Sequence, residues 1–189
     1  MPEKNIVSTR LVLSGHNFSR EQLPDSSAFA VLLLDTAETL LIPAEMYEEG
    51  MQEGYMRRSG LDLTADKSIV VSAVVNGIVA LMLFPKDIVD AVTGHFEHCE
   101  FRSPLQEIAG EKNVVRLFLT ARRVYVALSG DSLRFADVIE DRSTDTVLYL
   151  LQTLKKEFKT AGFRIKVSGE DARSMAERLS VYYKVEVCE

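Results

Sequence analysis

The chain has 189 residues, 47% of them hydrophobic and 26% charged, a composition that supports a buried core in one domain or two small ones. Its formal net charge of -6 repels a nucleic-acid backbone and an anionic membrane surface, so neither is expected as a partner. Two cysteines are too few for a disulfide framework, "MPEKNIVSTR" lacks the apolar stretch of a signal peptide, and no window reaches the roughly 18 apolar residues of a membrane span. A cytoplasmic chain with free thiols is the expectation.

In chain order, Ile6 to Leu13 reads as a short strand, and "SGHNFSREQLPDSS" as a loop. "AFAVLLLD" and "TAETLLIP" read as two buried strands around a turn at Asp35 to Ala37. Pro43 then suits the start of a helix from Ala44 to about Arg58, with Tyr47, Met51 and Tyr55 spaced by four along one face and Gly50 and Gly54 on an adjacent stripe. Asn76-Gly77 between apolar runs in "SIVVSAVVNGIVALMLFP" is a type I′ hairpin signal. Pro85 opens a helix carrying Ile88, Val92 and Phe96; a short strand at Cys99 to Phe101 and a helical turn from Pro104 to Ala109 follow. The polar "GEKN" marks a boundary between a first half, 1–110, and a second, 111–189.

The second half shows three strands, Val114 to Thr120, Val124 to Ser129 and Leu133 to Val138, with tight turns between them. "DRSTDTVLYLLQTLKKEFKTAG" then has the marks of a helix: Ser143 as N-cap, apolar Val147, Leu151, Leu154 and Phe158, and Gly162 as the stop. A strand in "FRIKVSG", a helix burying Ala172, Met175, Ala176 and Leu179, and a strand in "YYKVEV" complete the order βββαβαβ. Helices that follow a meander serve as crossovers between parallel strands, so the sheet is mixed. That order belongs to the ribonuclease-H-like core that actin, sugar kinases and heat-shock ATPases carry twice. The fold class is therefore α/β, with two related halves and a shortened or displaced meander in the first.

The blocks "ETLLIPAEMYEEG", "VVNGIVALMLFPKDIVDAV", "RRVYVALSGDSLRFADVIEDRSTDTVLYLL" and "FRIKVSGE" resemble those of an uncharacterised bacterial family, domain of unknown function family 3822. Leu40 to Ala44 match its strand leading to a helix, and Phe135 matches the phenylalanine that ends its meander. The N-terminus departs from the family's opening hairpin. The resemblance implies an actin-like ATPase fold and no particular reaction.

The enzymes of that fold require particular residues at particular turns. An actin-like ATPase grips phosphate through Asp-x-Gly turns, whose amides approach the oxygens while the carboxylate holds hydrated magnesium. "LTARRVY" has neither residue, and Asn76-Gly77 is explained by hairpin geometry. Gly169 stands where such proteins keep an adenosine loop, but Glu170 and Asp171 beside it repel phosphate. Asn76, Gly77 and Gly169 are thus the candidates that remain for a nucleotide site, and no cofactor is expected. A two-metal nuclease lacks its first-strand acid in "VVRLFLT". His95, His98 and Cys99 in "GHFEHCE" are possible zinc ligands, with a fourth from Cys188 or His16, yet a helix C-terminus attracts histidine without metal. There is no Gly-x-Ser-x-Gly elbow.

No catalytic residue is assigned, and interaction remains. Tyr47, Met51 and Tyr55, with Met46 and Met56, form a face suited either to covering their own sheet or to meeting a protein partner, including a second copy. The leading expectation is a non-catalytic scaffolding or interaction protein. The alternative is a nucleotide-binding protein with its ligand in a cleft between the halves.

Overall fold

The computed structural model describes residues 9–16, 18–24, 29–159 and 162–188. The chain divides into two compact units, Met1–Gln106 and Glu107–Glu189.

The second unit follows the expected order. Strands β7 (Val114–Leu119), β8 (Val124–Ser129) and β9 (Leu133–Ile139) form the antiparallel meander. Helix α4 (Thr144–Phe158) then crosses to β10 (Arg164–Gly169), parallel to β7, and α5 (Ala172–Leu179) crosses to β11 (Val185–Val187), parallel to β10. The sheet order is β11-β10-β7-β8-β9. Burial explains why it holds: β8 is buried along its whole length, and Val147, Leu151 and Leu154 of α4 join Ala172, Met175, Ala176 and Leu179 of α5 over the sheet. Phe158 completes the α4 stripe against Phe135, ring centroids 5.9 Å apart.

Ser143 caps α4 as its sequence indicates, its hydroxyl accepting from Thr146 N. The stop differs. Lys159, not Gly162, takes the left-handed conformation that ends the helix, at φ 54°.

Among its described residues the first unit holds two three-stranded sheets. Strands β1 (Thr9–Ser14), β2 (Ala30–Asp35) and β6 (Cys99–Arg102) form a parallel sheet in the order β1-β2-β6. Strands β3 (Thr39–Pro43), β4 (Lys67–Val71) and β5 (Ile78–Pro85) form an antiparallel one, with β5 in the middle. The expected strand from Ile6 begins at Thr9; residues 6–8 lie outside the described part. Although β2 and β3 flank one short turn, they enter different sheets, because the turn fixed by Thr36 N bonding Leu34 O, and Thr39 N bonding Ala37 O, sends the chain away. β2 becomes a central parallel strand, which explains its almost unbroken burial. Helix α2 (Lys86–His95) covers this core with Ile88 and Val92, and Phe96 caps it.

The helix expected over Ala44 to Arg58 is not continuous. A single 3-10 turn, Ala44–Met46, gives way to extended backbone at Tyr47, and α1 proper begins later (Gln52–Arg58). Gly50, at φ 87°, breaks the path. Its position and that of Gly54 form no packing groove: a Cβ on Gly50 would meet nothing within 4 Å, and one on Gly54 would meet only Met51 Cε at 3.9 Å.

Candidate functional site

Three places were singled out by sequence: the turns where this fold grips phosphate, the histidine cluster, and the segment around Tyr47.

At the β7–β8 turn the chain closes upon itself. Thr120 N donates to Arg123 O at 3.0 Å. Thr120 Oγ1 accepts from Arg122 N at 3.3 Å and from Arg123 N at 3.1 Å. The amides a phosphate would need are therefore already bonded by one buried hydroxyl. The same closure recurs at the end of β10, where Glu170 N donates to Leu119 O at 2.9 Å. Gly169 lies in register with Leu119 at φ 91°, and a Cβ there would stand 2.1 Å from Leu119 O. Close approach of two strand backbones thus accounts for this glycine.

Beside these strand ends lies a cavity of about 340 Å³ lined by Leu119, Arg142, Asp171, Ser174, Met175 and Arg178. Its cations are Arg142 and Arg178: Arg142 Nη1 donates to Ala121 O at 2.8 Å, and Nη2 to Glu170 O at 3.4 Å and Asp171 Oδ2 at 3.3 Å, while Arg178 Nη1 reaches Thr144 Oγ1 at 3.5 Å. Arg142 therefore ties the β7–β8 turn to the first turn of α5.

The hairpin of the first unit is likewise tied down. Asn76 and Gly77 have φ 52° and 73°, the pair of left-handed residues a type I′ turn requires. Asn76 Nδ2 donates to Gln106 O at 3.0 Å, and Gly77 O accepts from Ala44 N at 2.8 Å. Gln106 of α3 (Pro104–Ile108) is fully buried. Its Nε2 donates to Ala73 O at 3.1 Å and Ile78 O at 2.8 Å, while its Oε1 accepts from Ser103 N at 3.0 Å. Sequence reasoning missed Gln106, since nothing in "SPLQEIAG" announces that this glutamine reaches a hairpin some thirty residues earlier.

The histidine cluster does not converge. Helix α2 ends at His95 and Phe96 is extended, so His95 and His98 do not share a helical face. His95 Nε2 donates to Pro24 O at 2.7 Å, and its ring meets Phe96 edge-on at 4.8 Å. His98 is exposed, and burial pushes the Cys99 thiol up, away from the thiolate a metal needs. Among the described residues, no three His, Cys, Asp or Glu side chains are placed to hold a metal ion.

The segment from Ala44 to Arg58 forms a compact knob. Tyr55 OH donates to Met46 O at 2.9 Å and accepts from Glu48 N at 3.3 Å, and Gln52 Nε2 donates to Tyr47 OH at 2.7 Å. Tyr47 and Tyr55 pack with buried Met56 over Ile42, Leu81 and Leu83, so the tyrosines are mainly internal struts. Met46 and Met51 face outward, 64% and 43% exposed. The structure thus separates the three residues named from sequence: Met51 presents surface, and Tyr47 and Tyr55 hold it in place.

No family model matches the chain, and no curated protein does. Solved structures do. A Bacteroides thetaiotaomicron protein with actin-like ATPase fold and unknown function is similar at TM-score 0.65 and 13% identity, over 84% of this chain and 68% of that one. The cytoplasmic domain of EpsL, an inner membrane component of the type II secretion system of Vibrio cholerae, is similar at TM-score 0.51 and 12% identity, over 86% of this chain and 81% of that one. Among the described residues no helix is long and apolar enough to cross a membrane. The chain has the actin-like ATPase fold.

Proposed function

We propose that this is a non-catalytic module of protein assembly, a cytoplasmic member of domain of unknown function family 3822, acting through the knob around Met46 and Met51. The observation that carries the reading is the closure of the β7–β8 turn, whose amides Thr120 Oγ1 already occupies where an actin-like ATPase would grip phosphate. The exposed methionines favour association, because a flexible thioether chain adapts to a partner's surface. The likeness to EpsL, a component of a secretion system, supports an assembly role at the level of fold analogy. Replacing Met46 and Met51 together with serine tests it. The variant keeps the melting temperature of the parent and loses the proteins that the parent captures from its native cell; unchanged capture overturns the assignment.

A further inference from the structure

The knob is acidic. Glu45, Glu48 and Glu49 surround Met46 and Met51, all of them exposed and without an ion pair among the described residues, while Glu53 faces Arg57 at 3.6 Å. The turn at Gly50 and the bonds from Tyr55 hold these side chains on one short protrusion.

A groove of opposite character lies in the second unit, at the ends of β10 and β11 away from the Gly169 turn. It encloses about 410 Å³, with Phe163, Tyr182 and Tyr183 along it and Lys155, Arg164 and Lys184 around it. Arg164 is partly neutralised by Glu111 at 3.4 Å and Glu186 at 3.8 Å. Lys155 and Lys184 have no acidic partner among the described residues. Tyr182 of the groove and its chain neighbour Val181 stand 66% and 74% exposed, an uncommon placement for adjacent large apolar side chains.

We propose that the acidic methionine knob of one copy docks into the basic aromatic groove of a second copy. This rests on the assembly reading above and names its partner. The two surfaces match in sign and in apolar content: glutamates meet lysines at the rim, while methionine thioethers meet aromatic rings inside. A net charge of -6 makes copies of the chain repel one another on average, so association needs a local match of this kind. The contact is head-to-tail, so each pair leaves one knob and one groove open and growth continues past a dimer unless a ring closes.

Sedimentation velocity of the full chain over a range of concentrations tests this. The parent assembles beyond a dimer at low salt and dissociates at ionic strength on the order of 0.5 M, where exposed charges are screened. The variants Glu48→Lys/Glu49→Lys and Lys155→Glu/Lys184→Glu change only exposed side chains, and each alone weakens association on the order of 100-fold. Mixing the two restores assembly with the variants alternating. A parent that stays monomeric at every concentration overturns the proposal, as does assembly that both variants retain or a mixture that remains monomeric. The assembly reading fails separately, when the Met46/Met51 serine variant still captures the parent's partners.

Discussion

Gly169 and Leu119 approach so closely that no side chain fits between them. A Gly169→Ala change places its Cβ 2.1 Å from Leu119 O and forces φ 91° on a residue that resists it, so the expected loss is about 3 kcal/mol or more by urea unfolding. A nucleotide role would predict instead a stable protein that had lost a ligand. Gln106 makes the second residue-scale case. Gln106→Leu leaves the buried amide of Ser103 without its acceptor and takes one of two donors from the carbonyls of Ala73 and Ile78, which keep Ser72 Oγ and Val75 N, at a cost of about 2 kcal/mol. The two positions differ in legibility. Gly169 was visible as a glycine at a strand end but open to two explanations, because sequence does not show which backbone lies opposite; Gln106 gave no signal, because its partners are distant in the chain.

At the scale of elements, the start and buried face of helix α4 were readable, since its N-cap, its apolar stripe and its late lysines all act locally, whereas its end came at Lys159 and not at the expected Gly162. Ser143→Ala removes the hydroxyl that accepts from Thr146 N and lowers stability by about 1 kcal/mol in thermal or chemical denaturation. The strand pair β7–β10 adds a pH dependence. Glu111 accepts from Lys166 Nζ at 2.6 Å and also faces Arg116 and Arg164, and that hydrogen bond, reinforced by the three cations, lowers its carboxyl below the usual range. A carboxylate with a lowered folded pKa stabilises the fold above its unfolded value, and the contribution disappears as pH falls through the folded value. Glu111→Gln is therefore expected to be less stable than the parent by about 1 kcal/mol near pH 7, with the gap closing as pH drops below roughly 4.3. Equal stability at all pH values would show the cluster to be energetically idle. The stretch from Ala44 to Arg58 shows the opposite limit of local reading. Its four-residue spacing suggested one helix, but Gly50 at φ 87° and the bonds of Tyr55 to Met46 and Glu48 favoured a folded-back knob.

For the whole molecule, closed phosphate turns imply indifference to nucleotide. A ligand at about 100 times its dissociation constant would stabilise the folded state by roughly 2.7 kcal/mol, whereas ATP or ADP with magnesium is expected to leave the melting temperature unchanged. A clear upward shift would revive the nucleotide alternative.

By itself, the sequence determined the second unit's order of elements, its buried helical stripes and the Asn76-Gly77 turn, because period, caps and turn chemistry are properties of neighbouring residues. Only the tertiary structure decided that β2 and β3 part into separate sheets, that Thr120 closes the phosphate turn, and that Met51 faces out while Tyr47 and Tyr55 brace it. Those outcomes depend on which distant backbone and side chains come together, and spacing along a chain does not encode that.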